Sequence, residues 1–131
     1  MDKKIALILN ETLENWQACN VSAFLGSGIT DEFKGTNYMD QENNQYVSLL
    51  TEPIAVYVAS KNHMQRSLLR GNNRDVKVGV FSFDMFNTFN DRDNRQTIAS
   101  KTSEEINAAG LIIFGNKKEV DKVVRGLHFF H

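Results

Sequence analysis

Cysteine, proline and tryptophan are nearly absent from this chain of 131 residues; each occurs once, as Cys19, Pro53 and Trp16. A single cysteine excludes an internal disulfide and any thiolate-based zinc cluster. Set among apolar neighbours, it is expected to be a buried, inert thiol. His63, His128 and His131 are too scattered to propose a metal site, so neither a metal nor a cofactor is expected. Charge of one sign is also lacking. Fifteen Lys and Arg against sixteen Asp and Glu leave a formal charge of −1, which gives no molecule-wide field for nucleic acid or an anionic membrane. No long hydrophobic run exists near the start: "MDKKIALILN" holds five consecutive apolar residues, far short of a signal peptide or a membrane span. The expected location is therefore cytoplasmic, with no membrane partner.

What is present reads as one folded domain spanning 1–131. Hydrophobic residues make up 41% and charged residues 24%, a balance that builds a core and is not that of a disordered chain. Charge is distributed unevenly along it. Between Lys61 and Lys77 stand Arg66, Arg70 and Arg74 with Asp75 as the one acid, a local charge of +4, so the remainder carries −5. Such a stretch reads first as a solvated helix face and second as a surface turned toward anions.

Alternating element types follow from the apolar patterning. "KIALILN" (4–10) is an unbroken apolar run with β-branched content, as in a strand covered on both faces. In "ETLENWQACNVSAFLGSG", Leu13, Trp16, Asn20, Ala23 and Phe24 fall at helical spacing, and Gly26 with Gly28 marks the stop. "DQENN" inside 33–50 is a turn between two short β-prone pieces, a hairpin signal. "PIAVYVAS" is a buried strand opened by Pro53. Ser60 then caps "KNHMQRSLLRG", with Met64 and Leu68 inward and Gly71 at its end. "DVKVGVFSF" is a further strand, and 92–100 and 103–108 are helix-compatible pieces of a polar region. "GLIIFG" is the last core strand. It leads to a helix over "NKKEVDKVVRG", where Asn116 and Glu119 have capping-box spacing. Buried strands alternating with helices predict an α/β fold, a three-layer α/β/α sandwich around a mixed sheet of four or five strands.

The common catalytic signatures are missing: no G-x-x-x-x-G-K-[ST], no G-x-G-x-x-G after a strand, no G-x-S-x-G, no H-E-x-x-H. Three features remain. Asn20 sits on the expected apolar stripe of the first helix, where a buried amide must either tie down backbone or face a pocket. The loop "NETLENW" follows the carboxyl end of the first strand, where open α/β sheets place ligands; Asn10 and Thr12 serve there as helix caps or as ligand contacts. "FSFDMFNTFNDRD" concentrates Phe81, Phe83, Phe86 and Phe89 in nine residues, a loop core, a pocket wall, a lid or a self-association surface.

The two ends of the chain carry a resemblance. "KIALILNETLENWQACNVSAFL" and "GLIIFGNKKEVDKVVRGLHFF" resemble type II peptidyl-tRNA hydrolases, which open with a K-x-x-L-V-V strand and close with a V-D-K-V-T-G-x-L segment. Val120, Asp121, Lys122, Val123, Gly126 and Leu127 fall in register with that ending; Val124 stands in place of its threonine, and Arg125 is a further difference. The whole chain is similar to an uncharacterised bacterial family known only as a domain of unknown function. That family has the pattern N-x-x-L, N-x-x-A-F-L, P-I-x-V-x-x-A-S and G-x-x-K-x-V-D-K. Here these are Asn10 with Leu13, Asn20 with Ala23 to Leu25, Pro53 with Ala59 and Ser60, and Gly115 with Lys118 and Val120 to Lys122. The resemblance implies a peptidyl-tRNA-hydrolase-II-like α/β/α fold. It does not carry the chemistry over, because Gln17 falls near the position of the enzymes' catalytic lysine and Phe24 at that of their histidine, and neither serves as a general base. "VDKVVRGL" is then architecture: Val120, Val123, Val124 and Leu127 cover the sheet, a burial worth roughly 6–10 kcal/mol before entropy is subtracted.

Three functions compete. A binding module would hold a small polar ligand or a partner through Asn10, Thr12, Gln17, Asn20 and Lys61, and this is the leading expectation. The alternative is an enzyme, a hydrolase of peptidyl-tRNA or a related ester with altered active-site residues; whether the chain is an enzyme is left open by the sequence, with the balance against it. The third is self-association, a homodimer, with the Phe-rich segment as its interface. Nucleic acid is not the expected partner.

Overall fold

The computed structural model describes residues 2–131 and contains one mixed five-stranded sheet in the order β5-β6-β1-β4-β7. Strand β1 (Lys3–Asn10) is central, parallel to β4 (Ile54–Ala59) and antiparallel to β6 (Ala108–Asn116). Strand β5 (Val76–Ser82) pairs antiparallel with β6, and the two-residue β7 (His128–Phe129) pairs antiparallel with β4. The edges are blunted, one by brevity and the other by the exposed Lys77, both devices that discourage strand addition.

The unbroken apolar runs are explained by cover on both faces. Ile5, Leu7 and Leu9 point to one side, onto α1 (Asn15–Ser27) and the short α2 (Thr30–Phe33). Ala6 and Ile8 point to the other, onto α3 (Lys61–Asn72) and α5 (Lys117–Val123). Alternation along a pleated strand forces this division, and the result is the helix–sheet–helix layering expected. Val120 and Val123 are fully buried in the second layer with Val124 and Leu127 beside them, so "VDKVVRGL" packs as anticipated. Ser60 caps α3 by accepting from the His63 amide at 3.3 Å, and Met64 and Leu68 are buried. The hairpin signal is met by β2 (Tyr38–Met39) and β3 (Gln45–Tyr46), whose turn is organised by Asp40. Its carboxylate accepts from the Glu42 and Asn44 amides and from the Tyr46 hydroxyl.

Four expectations fail. The buried stripe of α1 is Ala18, Val21 and Leu25, whereas Trp16, Asn20 and Phe24 are exposed. Both stripes carry apolar residues, so periodicity alone does not choose between them. The choice is made by Gly110 of β6, where an added Cβ would lie 2.5 Å from Val21 Cγ1 and 3.1 Å from Leu25 Cδ1. Only the smaller stripe fits so close a helix–sheet approach. By the same rotation Cys19 is exposed rather than buried. Residues 103–108 form no helix: Thr102 and Glu105 close a turn, and β6 begins at Ala108. Asn116 does cap α5, accepting from the Lys118 amide, but the Glu119 carboxylate pairs with Arg74 and Lys122.

Candidate functional site

Helix α1 starts at a true capping box. Glu14 is the N-cap, its side chain accepting from the Gln17 amide, while the Gln17 side chain accepts from the Glu14 amide at 3.0 Å. The second Glu14 contact, from Trp16 Nε1 at 2.7 Å, fixes the indole on the helix flank. Four and eight residues on, Asn20 and Phe24 continue that flank. Opposite them the chain leaves β5 through a register shift between Phe81, which faces Gly110, and Ser82, which faces Ala108. Such bulges re-aim a strand. Here the chain turns into a 3-10 helix, Phe83–Asn87, and then α4 (Asp91–Ala99).

Between these two walls lies a groove of about 440 Å³. Phe86 is its hinge of aromatic contact, with ring centroids 5.8 Å from Trp16 at 70°, 5.1 Å from Phe81 and 6.0 Å from Phe83. Phe24 leans on Phe81 at 5.7 Å. These tilted and edge-on arrangements are the favoured ones for π-systems. Phe89 closes the rim at 94% exposure, and Trp16 and Phe24 are more than half exposed. Polar groups enter from Asn20, Asn90, Asp91 and Asn94. Asn90 caps α4 through the Asp93 amide, Asn94 accepts from the Thr88 hydroxyl, and Asp91 takes Arg95 Nε at 2.7 Å. Asn20 has no side-chain partner among the described residues.

The residues expected to form one site are separated. Asn10 is buried; its Oδ1 accepts from the Thr12 amide and hydroxyl at 2.9 and 2.8 Å, and its Nδ2 donates to the Ala108 carbonyl at 3.5 Å. Asn10 and Thr12 thus form an Asx turn at the carboxyl end of β1. Gln17 is engaged in the capping box, and Lys61 borders a different, smaller hollow with Gln65, Glu104 and Ile106. Of the five, Asn20 alone lines the aromatic groove. Asn90, Asp91 and Asn94 are additions that the Asn/Asp-rich run "NDRDN" could have suggested. Trp16 and Phe24 are legible in the sequence as a stripe, which here faces the groove and not the core.

The groove can hold and orient a molecule. Its lining has no histidine, lysine or cysteine, and its one carboxylate already faces an arginine. Among the described residues no three His, Cys, Asp or Glu side chains are grouped to hold a metal ion, and no helix is long and apolar enough to cross a membrane.

A solved structure of a protein of unknown function from Agrobacterium tumefaciens is similar over 100% of this chain and 99% of that one, with 32% identity and a TM-score of 0.95. No curated protein matches. A family model described as "Protein of unknown function (DUF2000)" matches residues 3–131, and the chain belongs to that family.

Proposed function

We propose that this protein is a small-ligand-binding module whose ligand lies in the groove between α1 and the 81–94 segment. The observation that carries the reading is the exposure of Trp16, Phe24 and Phe89 around the unpartnered Asn20 amide. Full burial of such a side chain is worth about 1.5–3 kcal/mol, most of it forgone at Phe89 and part of it at Trp16 and Phe24, and a ligand would recover some of this. The fitting ligand has a flat or apolar body, for stacking, and a polar edge for the amides of Asn20 and Asn94. The resemblance to type II peptidyl-tRNA hydrolases is kept in this proposal at the level of fold, and the ester-hydrolase alternative is set aside because the groove lacks a proton-shuttling pair. Cytoplasmic location and bacterial origin belong to the same reading. Asn10, Thr12 and Gln17 act in it by fixing the α1 entry, and Lys61 lies outside it.

Trp16 is the one tryptophan of the chain, so its emission reports on this groove. A panel of amphipathic metabolites is expected to contain one that shifts Trp16 fluorescence and raises the melting temperature; saturation at a hundredfold its Kd adds about 2.7 kcal/mol. Asn20→Leu and Phe89→Ala should each weaken that binding. Binding untouched by either change sinks the proposal.

A second reading, self-association, is supported by a different surface from the Phe-rich segment. Tyr38, Met39, Tyr46, Val47 and Leu49 of the hairpin arm are all more than half exposed.

A further inference from the structure

On the opposite face of the sheet from the aromatic groove, α3 turns its outer side to solvent. The inner stripe, Met64, Ser67, Leu68 and Gly71, is buried, so the outer stripe carries what remains: Arg66 and Arg70 stand one turn apart on it, and Arg74 follows in the bend just past the helix end. Like charges one helical turn apart, as Arg66 and Arg70 are, repel. A fourth arginine joins them after α5. Arg70 Nη1 donates to the Arg125 carbonyl at 3.3 Å, and the Arg66 guanidinium lies against Gly126, whose φ of +90° turns the chain there. A side chain at 126 would come within 3.5 Å of Arg66 Nη2.

Three of these four guanidiniums have no carboxylate partner among the described residues. Arg74 meets Glu119 at 3.6 Å, and Glu119 is shared with Lys122 at 3.3 Å. Arg66, Arg70 and Arg125 form no ion pair among the described residues. Partial burial pulls the Arg70 guanidinium below its ordinary value, and the charges of Arg66, Arg125 and Arg74 pull it further. The groove beside this stripe measures about 670 Å³, with Leu69 in its wall and the amides of Gln65 and Asn73 along it.

We infer that the α3 groove is an anion site for a small molecule bearing two or more phosphate charges, held by Arg66 and Arg70, with Arg74 also in its lining and Arg125 next to Arg70. Guanidinium forks match phosphate oxygens in pairs, and a doubly charged group spanning two of them removes the repulsion that the bare stripe sustains. A small ligand is favoured over nucleic acid because Asp75 and Glu119 stand at one end of the groove and the chain as a whole carries −1. The site does not depend on the aromatic groove, and its ligand leaves Trp16 emission unaffected.

The full chain is titrated with inorganic diphosphate by calorimetry and by thermal shift, at two salt concentrations. Diphosphate should bind, raise the melting temperature and weaken as salt rises. The double variant R66Q/R70Q should lose about tenfold or more in affinity, the loss of a charged hydrogen bond or two. K101Q, remote from the groove, should bind as the parent does. Without ligand, R66Q/R70Q should melt at or above the parent temperature, because repulsion is relieved; melting well below it would mean that the arginines serve the fold, and the inference would fall. It would also fall if diphosphate does not bind, if K101Q loses as much as R66Q/R70Q, or if a short RNA duplex binds far more tightly than diphosphate with a steeper salt slope.

Discussion

Lys4 is the side chain around which the second layer is tied to the sheet. Its ammonium lies 2.7 Å from both the Tyr57 hydroxyl and Asp121 Oδ1, and Lys117 reaches the other Asp121 oxygen at 2.9 Å. Burial pulls the Lys4 ammonium down, but the hydrogen bonds to Asp121 and Tyr57 outweigh it, and the group ends above the usual lysine value. The bonds from Lys4 and then Lys117 hold the Asp121 carboxyl below the usual aspartate range. The signs are opposite. A depressed carboxyl stabilises above its unfolded pKa of about 3.9 and loses that contribution as pH falls through its folded value. A raised ammonium stabilises below about 10.4 and loses its share as pH climbs through its folded value. Asp121→Asn should therefore cost about 1 kcal/mol near neutral pH, a charged hydrogen bond discounted because the carboxylate is 40% exposed. Denaturant melts across pH should show that difference shrinking below pH about 4; a constant gap would contradict it. At the same scale, Gly110→Ala should destabilise by about 1–3 kcal/mol, since the new methyl would overlap Val21. Chemical denaturation measures the loss, and Val21→Ala in the same background should recover part of it.

Helix α1 shows how far an element can be read from its own residues. Its existence, its stop at Gly28 and its place after β1 follow from spacing and composition. Its rotation does not, because "NWQACNVSAFL" offers apolar residues on more than one side, and a helix buries the side its neighbour can approach. The glycine that decides this is more than eighty residues away, in β6. The same rotation moved Asn20 from a supposed core position to the rim of a groove, and Cys19 to the surface. Asn10 and Thr12 follow the end of a strand, and Gln17 and Asn20 lie on the helix after it, so in sequence they read as parts of one site with Lys61. Capping and turn bonds that exist only in three dimensions disperse them, engaging Gln17 with Glu14 and Asn10 with Thr12. The Phe-rich run was legible as unusual, and its role as a wall became defined only when α1 stood opposite.

For the molecule as a whole, the sheet divides two distinct surfaces: aromatic on the α1 side and cationic on the α3 side. The hairpin arm is a third. Its exposed Tyr38, Met39, Tyr46, Val47 and Leu49 present on the order of 500 Å², a large share of the roughly 800 Å² one partner gives to a standard interface. A homodimer through this arm would appear in light scattering at micromolar concentration, and Val47→Asp with Leu49→Asp should shift it to monomer without lowering the melting temperature. A parent that scatters as a monomer at high concentration removes this reading.

Taken alone, the sequence determined the alternation of strands and helices, both covering layers, the caps at Ser60 and Asn116 and the hairpin, because each is written in contiguous residues within a turn or two of one another. Only the tertiary structure decided which side of α1 faces inward, which aromatic rings meet, and that the arginines of α3 and of the bend after it come together with one from the turn after α5. Those outcomes depend on how closely two elements approach across the sheet. That distance is set by side chains far apart in the chain, and no local pattern records it.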